Sequence, residues 1–161
     1  MLFKWLRNFA AQLAEAIGIS STPTTSEGYF NFLREVLKAT SDSDGNPEVV
    51  YPLLRANEDK LNLGFAEVLE NWARATLPQE ESATAQGITG IIVNFSNLIK
   101  QFPHGNRADN LEIAIVGYEI AVTVFTKEAF PVDWAMTQYN LGIAYSDRIK
   151  GEKADNRETA I

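Results

Sequence analysis

Residues 105–115 read GNRADNLEIAI, and residues 151–161 read GEKADNRETAI. Seven of the eleven positions are identical: Gly105/Gly151, Ala108/Ala154, Asp109/Asp155, Asn110/Asn156, Glu112/Glu158, Ala114/Ala160 and Ile115/Ile161, each pair 46 residues apart. A fixed period of roughly 20–50 residues marks a stacked repeat, because one short unit cannot bury its apolar face alone. The duplication predicts a unit of two antiparallel helices in which ADNxExAI opens the second. Under the same offset the first helices match more faintly, with Asn94 falling on Asn140, Phe95 on Leu141 and Ile99 on Tyr145.

Outward from the duplicated text, periodicity and punctuation predict helices throughout. Ser82 can cap a helix running to about Gln101, ended by Pro103-His104-Gly105. Asp109 followed by Glu112 is a capping-box variant, and Asp155 with Glu158 repeats it. The helix from Asn110 to about Glu128 is apolar on two sides: Leu111, Ala114, Ile115, Tyr118, Ala121, Val122 and Phe125 on one, Ile113, Val116, Ile120 and Val124 on the other. Such a helix is expected to be sandwiched between neighbours. FPVDW then starts a helix to about Lys150, which Gly151 is expected to end as Gly105 ended its predecessor. The closing ADNRETAI would open a further helix with room for about two turns, marginal alone. It reads as a piece of a longer array, with residues 154–161 expected to be less well packed than 108–128 and the open end offering a surface for self-association.

Upstream, Tyr29–Thr40 is helical in pattern, with Phe30, Leu33, Val36 and Leu37 on one side. SDSDGNP is a turn, Pro47 opens a helix in which Pro52 is expected to make a kink or break, and Leu61–Leu77 is helical before Pro78. No segment alternates as a strand does. The opening MLFKWLRNFAAQLAEAIG places Leu2, Leu6, Phe9, Leu13 and Ile17 on one helical face, with Lys4 and Arg7 interleaved rather than leading an apolar run as in a signal peptide. A helix docked on the rest of the protein is the plainer reading, and a membrane-surface helix the alternative. The expectation is an all-α chain, with an amino-terminal helical region over 1–78 and repeats over 82–161, one unit at about 82–130 and a second from about 131.

Composition narrows the function classes. The chain has 161 residues, 45% hydrophobic and 22% charged, the make-up of an ordinary globular domain. With no cysteine, disulfides and thiolate chemistry are excluded, which fits a cytoplasmic setting. A formal net charge of −7 argues against nucleic acid, whose affinity rests on clustered Lys and Arg. No run approaches the roughly 18 apolar residues that suggest a membrane span.

Candidate chemistry is sparse. His104 is the sole histidine and sits in a Pro-His-Gly turn without metal or catalytic partners nearby in sequence. Asp42, Asp44, Asn46 and Glu48 alternate like the start of a calcium loop, but the Gly falls at the fourth position and Leu53 stands where a bidentate Glu is required. Asn94-Phe95-Ser96 has the glycosylation pattern in mid-helix. Walker, dinucleotide, HExxH and GxSxG motifs are all missing. Neither enzyme activity nor a cofactor or metal is expected.

The residues LGIAY (141–145) and AIVGYEIAV (114–122) resemble the tetratricopeptide repeat. Leu141, Gly142 and Tyr145 match Leu-Gly-x-x-Tyr of its first helix; Ala114, Tyr118 and Ala121 match Ala-x-x-x-Tyr/Phe-x-x-Ala of its second; Pro131 matches in kind. The usual unit is 34 residues and this one 46, as in kinesin-light-chain-type repeats. Gln138 replaces the usual Trp, and Ser96 takes the place of the small Gly in the earlier unit. The wording of residues 125–156 is similar to long-repeat cyanobacterial members, often joined to a caspase-like CHAT peptidase or another effector.

The resemblance implies a right-handed superhelical array whose first helices line a concave surface that takes a protein or peptide partner. By spacing from Leu141 the groove positions are Met136, Tyr139, Asn140, Ile143 and Asp147, and in the earlier unit Val93, Asn94, Asn97 and Lys100. Asn94 and Asn140 occupy equivalent places, where an amide, both donor and acceptor, could pair with a peptide backbone or instead satisfy a neighbouring helix. The Lys/Asn/Arg clamp by which some tetratricopeptide domains hold a terminal carboxylate is not reproduced. Tyr139, Trp134 and Trp72 are aromatic anchor candidates, Trp72 being better placed for core packing. A protein-interaction scaffold is the implied function, with the regulatory arm of a CHAT-type effector as the alternative.

Overall fold

The computed structural model describes the backbone of residues 23–159 and the side-chain surroundings of 26–148, 151 and 152. The opening amphipathic segment and the packing of residues 154–161 lie outside the described residues. Among those described, six helices and no strand occur: α1 Pro23–Asp42, α2 Pro47–Ala56, α3 Leu63–Thr76, α4 Ser82–Gln101, α5 Arg107–Val124 and α6 Pro131–Thr159. Single 3₁₀ turns, Glu58–Lys60 and Leu77–Gln79, flank α3.

Asparagine starts three of the helices. Asn46 accepts from the Glu48 backbone N–H at 3.0 Å, Asn62 from Phe65 at 3.1 Å and Asn106 from Asp109 at 3.0 Å. Each satisfies one of the orphan donors of a first helical turn. α5 therefore begins at Arg107, and the expected Asp109–Glu112 capping box is corrected: Asp109 sits in the first turn and Glu112 reaches α6 instead. Pro52 does not break α2. Pro52 and Glu48, whose carbonyl Pro52 deprives of a donor, are both exposed, so water meets the loss.

One apolar core runs from Phe30 to Ala144 through every described helix. Phe65 is its hinge point, 4.9 Å from the Phe32 ring and 6.2 Å edge-on to Phe95, which joins α1, α3 and α4. Trp72 is fully buried, as core packing requires. α5 packs on α3, α4 and α6. Leu111, Ile113, Ala114, Ile115, Tyr118, Ile120 and Ala121 are all buried, which accounts for its two apolar faces. α4 and α5 approach closely at Gly117, where an added Cβ would lie 1.9 Å from Ser96 Oγ.

The turn between them follows from Pro103. Phe102, forced out of the helical region by the next ring, takes φ −61° and ψ 122°. Gly105 takes φ +77°, which a side chain would strain. The buried Asn110 amide donates to the His104 carbonyl at 2.8 Å, and Arg107 donates to that of Lys100. α6 returns antiparallel to α5: Tyr145 donates to Glu119, and Arg148 to both Glu112 oxygens at 3.0 and 3.2 Å.

The second copy of the duplicated text does not repeat the first. Gly151 lies inside α6, which continues to Thr159, so the expected helix end at Lys150 is corrected. At the positions of Pro103 and Asn106 the second copy carries Ile149 and Glu152. The proline that stops α4 and the cap that starts α5 are both missing there. Glycine alone costs a helix only about 1 kcal/mol.

Candidate binding surface on α4 and α6

Four of the nine expected groove residues meet where α4, α5 and α6 come together. Lys100, 8% exposed, donates to Asn140 Oδ1 at 3.4 Å and lies 5.7 Å from the centre of the Tyr118 ring. The fully buried Tyr118 donates to Asn97 Oδ1 at 2.5 Å. Asp147 stands 3.6 Å from the Arg107 guanidinium and shares with it, and with Lys100, a pocket of 490 Å³. Tyr118 and Arg107 join the site from α5, a second helix, which spacing along the first helices does not reach.

Charge is set by burial here. Desolvation pulls the Lys100 ammonium below the usual lysine range; Asp147 raises it again and Arg107 lowers it. Burial pushes the Tyr118 phenol well above its ordinary value, so it stays a protonated donor to Asn97. Where α5 meets α6, the hydrogen bond to Glu119 raises Tyr145.

The other five expected residues are distributed differently. Met136 and Tyr139 are 62% and 71% exposed and Ile143 is half-buried. Val93 is half-buried against the core. Asn94 is exposed and packs beside the turn between α1 and α2, its Cβ 3.6 Å from where a Gly45 Cβ would stand. The two equivalent asparagines thus have unlike surroundings, Asn94 against a turn and Asn140 under a lysine. Trp134 is half-buried beneath Lys127, 5.5 Å above its ring. His104 is exposed and meets Phe102 edge-on.

Met136, Asn140, Ile143 and Asp147 recur at helical spacing and so form one line along α6, adjoining α4 through Lys100–Asn140. Residues 134–146 (WAMTQYNLGIAYS) contain no charged side chain. Thr137, Leu141 and Ala144 turn inward, and Ala135, Met136, Gln138, Tyr139 and Gly142 turn out. Among the described residues, no cluster of His, Cys, Asp and Glu could hold a metal ion, and no helix is long and apolar enough to cross a membrane. The sequence matches no family model, and neither curated proteins nor solved structures yield a match to it.

Proposed function

We propose that α4–α6 form a tetratricopeptide-like stack, part of a right-handed array, acting as a non-catalytic protein-interaction module. Its partner, a protein or peptide segment, lies along the first helices α4 and α6. One observation carries this reading: Val132, Met136 and Tyr139, 69%, 62% and 71% exposed, lie on or beside a thirteen-residue stretch without charge. Exposed apolar surface of this kind, rimmed by polar groups, suits an interface. Met136 and Tyr139 supply apolar anchors, while Asn97 and Asn140 supply amides at the polar edge. The repeat resemblance of Leu141, Gly142 and Tyr145 supports the same arrangement.

Capture from lysate with the wild-type chain and a Met136→Lys/Tyr139→Asp variant tests it. The exposed sites predict unchanged helicity by circular dichroism and loss of the captured partner. Equal recovery by both chains rejects the surface.

A further inference from the structure

Lys100 is only partly satisfied by the side chains around it, the Asn140 amide and the Tyr118 ring. An ammonium carries three donors, and the residue that bears this one is buried. Its single side-chain hydrogen bond, to Asn140, is long at 3.4 Å. Among the described residues no carboxylate stands within 4 Å of it. Asp147, the nearby acid, already faces Arg107 at 3.6 Å. Two cations therefore share one carboxylate, although the chain as a whole carries a formal −7. A buried charge of this kind is costly unless something pairs with it.

The pocket beside it has room for that partner. Its 490 Å³ are lined by Lys100, Gln101, Arg107 and Asp147, with the turn Phe102–Gly105 as its outer wall. Pro103 and the positive φ of Gly105 fix that wall, and Arg107 is tied to the Lys100 carbonyl. Arg107 is thus placed by the Lys100 carbonyl and by Asp147, while the Lys100 ammonium rests on Asn140. Gln101 and the exposed His104 add donors at the rim.

We infer that this pocket is an oxyanion-binding site, in which Lys100 and Arg107 receive a carboxylate or phosphate group by charge-assisted hydrogen bonds. Asp147 keeps Arg107 oriented and excludes a second anion. The inference deepens the interaction reading above by naming the chemistry a partner presents at one end of the surface. It sits at the turn between α4 and α5, and neither Met136 nor Tyr139 lines it.

Backbone amide NMR of the full chain tests it. The probes are inorganic phosphate and acetyl-Glu-Glu-Glu-amide, titrated at constant ionic strength against sodium chloride. Saturable shifts confined to residues 100–107 and 147 are expected with at least one probe, weakened about tenfold or more in both Lys100→Gln and Arg107→Gln. Saturation by the peptide alone identifies a partner's acidic side chain; saturation by phosphate identifies a free anion. Shifts that follow chloride equally, or affinities unchanged in both variants, overturn the site. Arg107 is exposed, so its variant stays informative if Lys100→Gln unfolds. A chain that binds neither anion yet still captures a partner through Tyr139 loses this inference alone, whereas the reverse result rejects the α6 surface alone.

Discussion

A methyl group on Gly117 would stand 1.9 Å from Oγ of Ser96, so α4 and α5 cross where neither helix can carry a larger side chain. Ser96 cannot simply turn away, because its hydroxyl is buried and donates to the Ile92 carbonyl at 2.8 Å. Overpacking of this sort costs about 1–3 kcal/mol, and alanine's better helix propensity returns about 1. Gly117→Ala should therefore destabilise the chain by up to about 2 kcal/mol in urea unfolding. Adding Ser96→Ala should recover most of the loss; no recovery would mean that the backbone, not the hydroxyl, sets the crossing.

Lys100 and Tyr118 push the pH dependence in opposite directions. The folded chain gives up the Lys100 proton below the ordinary lysine value of 10.5, while the unfolded chain still holds it. Between those two values the unfolded state binds more protons, and stability rises with pH. The Tyr118 proton is kept in the folded chain above the ordinary 10.0, so stability falls as pH climbs past that point. Lys100→Met should flatten the rise, and Tyr118→Phe should flatten the fall, in unfolding curves taken from pH 7 to 11. Parallel curves for wild type and Lys100→Met would contradict the assignment.

The α5–α6 seam is held by a partly exposed pair. Arg148 bonds both oxygens of Glu112 and lies 5.0 Å from the Tyr145 ring centre. Their side chains are 38% and 30% exposed, so solvent weakens the attraction. A double-mutant cycle with Glu112→Ala and Arg148→Ala should give a coupling of about 0.5–1 kcal/mol, reduced in 1 M salt. A salt-independent coupling would point to packing instead.

The two copies of the repeated text can be made to agree. Ile149→Pro with Glu152→Asn restores the stop and the cap that residues 103 and 106 supply in the first copy. Carbon chemical shifts at 148–151 should move from helical to extended and turn values. Retention of helical shifts through Gly151 would show that the differing letters are not what decides the path.

The all-helical class was legible because apolar spacing and proline punctuation agree along the whole described chain. Burial of α5 on several sides followed from its two apolar faces, and Trp72 from its place beside Leu69. Boundaries were less legible. Asn106 and Asp109 are both competent caps, and the choice fell to Asn106 because Pro103 and Gly105 fix where the chain re-enters a helix. Gly151 looked like a terminator by analogy with Gly105, but glycine only permits a turn, whereas proline and a cap enforce one. In the candidate surface, spacing brought Asn97, Lys100, Asn140 and Asp147 to one place. It could not supply Tyr118 and Arg107, whose arrival depends on how α5 crosses beneath them.

Among the described residues, α6 is supported on one side only. It rests mainly on α5, with a lighter touch from α4, and its outer stripe meets water. Among the described residues it is the outermost stave of a barrel, the one whose detachment would leave the staves behind it in place. Detaching it dismantles the Asn140 and Asp147 half of the cleft but leaves Tyr118 and Asn97 together. Whatever settles on that outer stripe therefore also clamps the stave, coupling occupancy to the persistence of the whole cleft.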